Sequence, residues 1–434
     1  MYTSLVLRDK SVIWHPFTNL TDNQLPIPIA SAEGALLFDE DGKAYIDAIS
    51  SWWVNLHGHA HPHIARKIFE QASSLEHVIF AGFTHRPAVE LAERLLQLLP
   101  GNFTKVFYSD NGSTSTEVAI KMALQYWWNK SEPRRKKILA FTGAYHGDTF
   151  GAMSASDRGV FTLAFHDLLF EVIFIDPPAT EEVHEQLNTI LENEKEIAAF
   201  IYEPLLQGAG GMRTYSARGL DLLLQSLQSM NIICIADEVM TGFGRTGTLF
   251  ASEAVPTRPD IICLSKGLTG GSMPLGVTAC TQAIQDEFIS DDRLKTFFHG
   301  HSFTANPLGC AAALASLDLL EQDDCRNGML RIENENQKFL ATLNKLHGNS
   351  LVKNARCLGT LLAFELNMGK DEYLNSVGAM VTSRAFAKGV YLRPLGNTLY
   401  TLPPYCITED QLQVVFDTIL SILKELEEQT THLR

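Results

Sequence analysis

Cysteine is scarce and poorly placed for cross-linking: there are seven in 434 residues, an odd number, with no CxxC pair. Cys234, Cys263, Cys280, Cys310, Cys325, Cys357 and Cys406 stand far apart, mostly inside apolar runs. That excludes a disulfide framework or a zinc site of paired thiolates, and it predicts buried free thiols in a reducing compartment. Long hydrophobic runs are missing too, so no bilayer-spanning helix is expected. The opening MYTSLVLRDKSVIWHPF lacks the charged, apolar and small-residue order of a secretory leader, and a cytoplasmic protein without membrane attachment is expected. Basic residues are in deficit, 35 Lys and Arg against 50 Asp and Glu, for a net charge of −15. With no basic stripe, nucleic acid is an unsuitable partner. Internal repeats and low-complexity tracts are also absent. What remains is an ordinary globular balance, long enough for two or three domains.

The informative stretch runs from Ile232 to Gly276, with IICIADEVMTGFGRTG at its start and IICLSKGLTGGSMPLG at its end. Both apolar runs read as buried strands by length and β-branched content. The first ends in Asp237 and Glu238, the second in Lys266. In a parallel α/β sheet, ligands bind beyond the carboxyl ends of the strands, so an acid and an amine should meet in one site. Pyridoxal phosphate requires such a pair, a lysine for its aldehyde and an acid for its pyridinium nitrogen.

Around this stretch, from about 85 to 320, strand-like and helix-like segments alternate. Strands are expected at 105–110, 137–141, 171–176, 198–204, 232–239 and 261–266, with amphipathic helices between several of them. This is the pattern of a mainly parallel sheet with crossover helices. Upstream, residues 36–47 read as a hairpin turning at Asp41-Gly42. Beyond 320, a helix, strands in LLAFEL, VYLRPL and TLYTLP, and a final helix suggest a smaller α+β domain. The expected division is an N-terminal segment 1–60 that contributes to the small domain and the active site, a large cofactor-binding domain 61–320, and a C-terminal small domain 321–434.

Several motifs refine the site. In SDNGSTSTEVAIKMALQYW, Thr114 and Glu117 form a capping-box pattern, which starts a helix just after Gly112-Ser113. Free N–H groups at that turn suit a phosphate, with Gly112 allowing close approach and Ser113 offering its hydroxyl. Adjacent Trp52 and Trp53 cannot share one face of a strand, so at least one should line a cavity or an interface. His57, His59, His61 and His63 alternate as metal ligands in a strand would, but Gly58 and Pro62 break a strand, and a polar loop with a helix after Pro62 is expected. No metal site is predicted. GFGRTG (242–247) matches the dinucleotide fingerprint in form only, because TLFASE, with Pro256 beyond it, is a poor helix start. A nicotinamide enzyme resting on it is rejected.

ADEV (236–239), LSKG (264–267) and the YHG of AFTGAYHGDTF together resemble the class III (ω-amino) aminotransferases of pyridoxal phosphate fold type I. The likeness runs from about residue 14 to 405. It implies an α/β transferase with a large mainly parallel-sheet domain and a smaller α+β domain, working as a homodimer with active sites shared across the interface. By this resemblance Lys266 binds the cofactor and then moves the proton, while Asp237 keeps the ring nitrogen protonated. Tyr145 covers one ring face and Val239 the other, and Glu203 lies near the ring. Arg245 lies near the substrate. Gly300, His301 and Ser302 lie on a loop reaching the partner's cofactor phosphate.

WHPFT, SSWWVNLHGHAHP and RPLGNTLYTLPPY narrow the resemblance to a branch of class III that works in biotin synthesis. It implies 8-amino-7-oxononanoate as amino acceptor and S-adenosylmethionine as donor, with lysine the donor in some members and another ω-amine as the alternative substrate. Trp52, Trp53 and Tyr400 would shape the substrate pocket, together with Tyr145 and Asp148, and Arg393 would pair with the substrate carboxylate. Phe17 departs from the branch, which often carries tyrosine there. The ring is kept and a hydroxyl is lost.

Overall fold

The computed structural model describes residues 4–21, 25–178, 185–346, 351–368 and 375–432. Its strands, in chain order, are β1 (Ile29–Glu33), β2 (Leu36–Asp39), β3 (Ala44–Asp47), β4 (Phe103–Ser109), β5 (Lys137–Phe141), β6 (Val172–Ile175), β7 (Ile197–Tyr202), β8 (Leu206–Gln207), β9 (Arg213–Thr214), β10 (Ile233–Asp237), β11 (Ile261–Leu264), β12 (Gly276–Thr281), β13 (Val352–Leu358), β14 (Leu361–Leu366), β15 (Val390–Tyr391) and β16 (Thr398–Thr401).

Seven of them form the central sheet in the order β4-β12-β11-β10-β7-β5-β6. From β11 to β6 every pairing is parallel, whereas β12 runs antiparallel to both β11 and β4. All six strands expected in this region are present. The seventh, β12, was not anticipated, because GVTACT merges with the Gly-rich stretch before it.

Both faces of the sheet are covered, which explains why its central strands β7, β10 and β11 are buried at every position. In β10, Cys234 and Ala236 join one core while Ile233 and Ile235 join the opposite one. The helix Ala217–Ser229 supplies Leu220, Leu223, Leu224 and Leu227 to the first core. The helix Gly112–Asn129 supplies Val118, Ala119, Met122 and Ala123 to the second. Truncating a fully buried side chain such as Ile235 to alanine should cost about 2–5 kcal/mol.

The expected hairpin is present as β2 and β3, antiparallel, with Gly42 at φ 80° in the connection. β3 also pairs in parallel with β15, so segments more than 340 positions apart share the four-stranded sheet β1-β2-β3-β15. β13, β14 and β16 form a separate antiparallel sheet, packed by the helix Asp323–Leu346. That helix meets the final helix Glu409–His432 through Phe339 and Phe416, stacked at 4.2 Å. No helix among the described residues is long and apolar enough to cross a membrane.

Candidate active site

Asp237 is the last residue of β10, Glu203 follows β7, and Lys266 stands two residues beyond β11. Because these strands are parallel neighbours, their ends deliver all three side chains to one edge. They line a cavity of about 720 Å³. Phe17, Trp52, Trp53, Gly112, Ser113, Tyr145, Asp148 and Val239 line it as well.

Asp237 is buried and held at both oxygens. Its Oδ1 accepts the Val239 N–H at 3.0 Å, and its Oδ2 accepts from His146 Nδ1 at 2.7 Å. His146 is buried in the cavity wall, and its Nε2 has no hydrogen-bond partner among the described residues. In the sequence it reads as an ordinary loop histidine. No local signal marks it, since its partner lies 91 residues away. Glu203 accepts the backbone N–H groups of Tyr145 and Gly208. Burial pushes its carboxyl up to about 7, with Asp237 adding to the rise and His146 opposing it.

Lys266 has positive φ, 46°, and its Nζ lies 5.1 Å from the Trp53 ring centroid. Burial lowers its pKa, and the charges of Asp237 and Glu203 oppose that shift. Among the described residues, its ammonium makes no hydrogen bond or ion pair. The Tyr145 phenol is raised by burial first and then by Asp148.

At the end of β4, the helix begins at Gly112 rather than after Ser113. Its cap is Asn111, whose side chain accepts from the Thr114 N–H while Thr114 Oγ1 accepts from the Asn111 N–H. Glu117, expected in this cap, instead accepts the N–H groups of Gly151 and Ala152. The earlier start puts Gly112 and Ser113 in the first turn, where N–H groups have no intrahelical acceptor. A Cβ on Gly112 would come within 2.7 Å of Val239 Cγ1, and one on Gly147 within 2.1 Å of Ser113 Oγ.

The two tryptophans do not sit on a strand. They close a strained helical turn, Ser50–Trp53, in which Ser50, Ser51 and Trp53 all have positive φ. This geometry lets both line the cavity, which strand alternation would have forbidden. Phe17 packs on Trp52 at 5.4 Å and on Phe161 at 5.7 Å, and Phe161 on Tyr145 at 6.0 Å. Phe161 was not anticipated.

Six expected site residues lie outside the cavity lining. Tyr400 stands behind Trp53 and accepts its indole N–H at 2.9 Å, while Arg393 lies over the Trp52 ring at 4.3 Å. Arg245 is turned inward and fully buried. Its guanidinium donates to the carbonyls of Trp53, Asn55 and Pro403, so it braces the tryptophan turn instead of facing a substrate. Gly300, His301 and Ser302 form a separate loop, in which the His301 N–H donates to Thr304 Oγ1. The four alternating histidines take separate hydrogen-bond partners, and only the His57 and His61 rings, 6.3 Å apart, lie against each other. His57 meets Ser316, His59 meets Asp47, His63 meets Asp318, and His61 caps the helix that starts at Pro62. GFGRTG is a loop, as expected, and Cys406 is exposed rather than buried.

Similarity to known proteins agrees with this arrangement. The family profile of class-III aminotransferases matches residues 17–423. The adenosylmethionine-8-amino-7-oxononanoate aminotransferase of Synechococcus elongatus is 49% identical, over 95% of this chain and 99% of its own. A crystal structure of the enzyme of that name from Methanocaldococcus jannaschii superposes with a TM-score of 0.91 at 35% identity, covering 97% of this chain and 98% of that one. An (S)-enantioselective omega-transaminase from Thermomicrobium roseum superposes with a TM-score of 0.90 at 31% identity, over 97% and 98% of the two chains. With a lysine and an aspartate at the ends of neighbouring parallel strands and a family match over residues 17–423, the chain belongs to the class-III aminotransferases, which depend on pyridoxal phosphate.

Proposed function

We propose that this chain transfers an amino group from S-adenosylmethionine to 8-amino-7-oxononanoate, giving 7,8-diaminononanoate in biotin synthesis. The observation that carries the reading is the cavity itself. One side has Lys266, the buried Asp237 and a helix N-terminus, and the other has a wall of Phe17, Trp52, Trp53 and Phe161. Such a wall suits the polymethylene chain of an oxononanoate by simple apolar burial.

The residues present fit pyridoxal phosphate. Lys266 offers an amine without a competing polar partner, and the first turn beginning at Gly112 offers free N–H groups for a phosphate. Gly112 also leaves open a space that a Cβ could not share with Val239. When bound, the cofactor supplies an aldehyde that condenses with amines and a protonated ring that accepts an electron pair. Asp237 holds the proton on that ring nitrogen, because a neighbouring opposite charge favours the charged form. His146 fixes the Asp237 carboxylate by donating from Nδ1. Tyr145 and Val239, both in the cavity lining, would confine the cofactor ring, and Glu203 fixes the backbone of Tyr145.

Lys266 Nζ takes the proton from the amine-bearing carbon of the donor and later returns one to the acceptor carbon. It needs a neutral amine for this, a form that burial favours. The aromatic wall excludes water and orients the substrate chain. Asp148 lines its pocket, Tyr400 shapes it from behind through Trp53, and Arg393, beside Trp52, pairs with the substrate carboxylate. The chain works as a cytoplasmic homodimer in which Gly300, His301 and Ser302 serve the partner's phosphate site. Residues 61–320 form the cofactor-binding domain, and 1–60 with 321–434 form the smaller one. Lysine as donor is a second reading, favoured by Phe17, which lines the cavity with no hydroxyl.

A half-reaction tests both readings. S-adenosylmethionine or lysine is added separately to the purified pyridoxal phosphate form while its absorbance is followed, and 8-amino-7-oxononanoate is then added. Loss of the aldehyde-form absorbance with S-adenosylmethionine alone, restored by the keto acid, is expected. Conversion by lysine alone would keep the acceptor and replace the donor. No conversion by either would overturn the substrate assignment.

A further inference from the structure

The tryptophan turn is the most strained segment near the cavity. Ser50 and Trp53 lie in the left-handed region at φ 54° and 64°. Ser51, at φ 60° and ψ −77°, has the dihedrals of the rare γ-turn of positive φ, which is disfavoured for any residue with a side chain. None of the three is glycine. Strain of this kind persists only where surrounding contacts over-determine it, and such contacts cluster at functional sites.

One side chain makes most of these contacts from beneath. Asp47, the last residue of β3, is fully buried. Its Oδ1 accepts the Ile49 N–H at 3.2 Å. Its Oδ2 accepts the Ser51 N–H at 2.7 Å, the Ser51 hydroxyl at 3.2 Å and His59 Nε2 at 2.8 Å. His59 Nδ1 lies 3.2 Å from Asn55 Nδ2, and Asn55 Oδ1 accepts the Gly58 N–H, so the carboxylate is tied to both ends of the turn. From the other side, Ser50 Oγ donates to the Leu402 carbonyl and Arg245 to the Trp53 carbonyl. Hydrogen bonds to a charged acceptor are the strong ones, and here they converge on the most strained residue.

We propose that Asp47 is a positioning residue for substrate specificity, a buried carboxylate that holds Ser51 in its strained conformation and so aims both Trp52 and Trp53 into the cavity. It is fully buried and does not line the cavity. Its hydrogen bonds go to Ile49, Ser51 and His59 and not to the strand ends carrying Asp237 and Lys266, so Asp47 governs substrate fit and leaves cofactor binding alone. This inference rests on the aminotransferase reading of the cavity.

The test compares Asp47→Asn, Ser51→Gly and the double variant with the wild type. Asparagine keeps the shape of Asp47 but turns one acceptor into a donor facing N–H groups. Glycine at 51 adopts the same dihedrals without strain. Asp47→Asn should raise the KM for 8-amino-7-oxononanoate at least about tenfold, as misplaced substrate-contacting groups do. The dissociation constant for pyridoxal phosphate should stay within about twofold, a change too small to reflect a lost contact. The near-UV circular dichroism of the tryptophans should change in the cofactor-free protein. Adding Ser51→Gly should return both KM and the tryptophan signal most of the way to wild type. An unchanged KM, parallel loss of cofactor and substrate affinity, or a defect that Ser51→Gly does not relieve would each overturn the proposal. Failure of the aminotransferase reading is seen separately, as a wild-type protein that does not turn over, and the tryptophan signal still tests the clamp.

Discussion

The floor and the roof of the cavity are built on opposite principles. The floor is the sheet edge, where Glu203, Asp237 and Lys266 are delivered by parallel strands whose register is set by apolar packing on both faces. The roof is the tryptophan turn, held in disfavoured dihedrals by Asp47, Arg245 and Leu402, which come from well-separated parts of the chain. A floor of this kind is rigid because the sheet is rigid. The roof is positioned by polar contacts that substitution can alter one at a time. Chemistry common to a whole family belongs on the floor, and substrate choice, which differs between family members, belongs on the roof.

The largest effects are expected at the floor. Lys266→Ala should reduce turnover by at least about 10⁴-fold with either candidate donor, since it removes both the anchoring amine and the proton carrier. Turnover of product from S-adenosylmethionine measures this, and a loss confined to one donor would move Lys266 into the specificity half. Next, Asp237→Asn should lower kcat by about 10²–10³-fold, the scale for removing one group that stabilises developing charge. Steady-state kinetics should show the fall in kcat with a smaller change in KM.

Glu203 gives a smaller effect, read in stability. Its carboxyl rises from 4.5 to about 7, chiefly through burial. The folded state therefore holds this proton more tightly than the unfolded chain. The associated stability is complete below about pH 4.5 and is lost as pH rises through about 7. Denaturation of the cofactor-free protein at a series of pH values should show a slope that Glu203→Gln flattens, by about 3 kcal/mol over that window. An identical slope in the variant would place the titration elsewhere.

The smallest effect belongs to the roof. Phe17→Tyr restores a hydroxyl beside Trp52 and should lower the KM for S-adenosylmethionine by about two- to tenfold, the worth of one hydrogen bond. Cofactor affinity should be unaffected. A change in cofactor affinity instead would erase the distinction between the two halves.

The same division governs what the sequence reveals. Asp237 and Lys266 were legible because each ends a short apolar strand, and the parallel-sheet rule brings neighbouring strand ends together. The helix start at Gly112 was legible for the same local reason, although its cap proved to be Asn111 with Thr114. The roof was not legible. A left-handed conformation carries no sequence mark at Ser50, Ser51 and Trp53, since none is glycine, and aromatic residues suggested a strand instead. Arg245 lies after the aspartate strand in a Gly-rich loop, which gives no indication that its guanidinium turns into the core. His146 was found in its motif, yet its bond to Asp237 depends on how two βα connections fold toward each other.

The most direct test of the account is borohydride reduction of the pyridoxal phosphate form followed by peptide mass mapping, run with and without prior addition of S-adenosylmethionine. A pyridoxyl mark on Lys266 alone, lost when the donor is added first, is the predicted result. A mark on another lysine, or a mark on Lys266 that the donor does not remove, would contradict it.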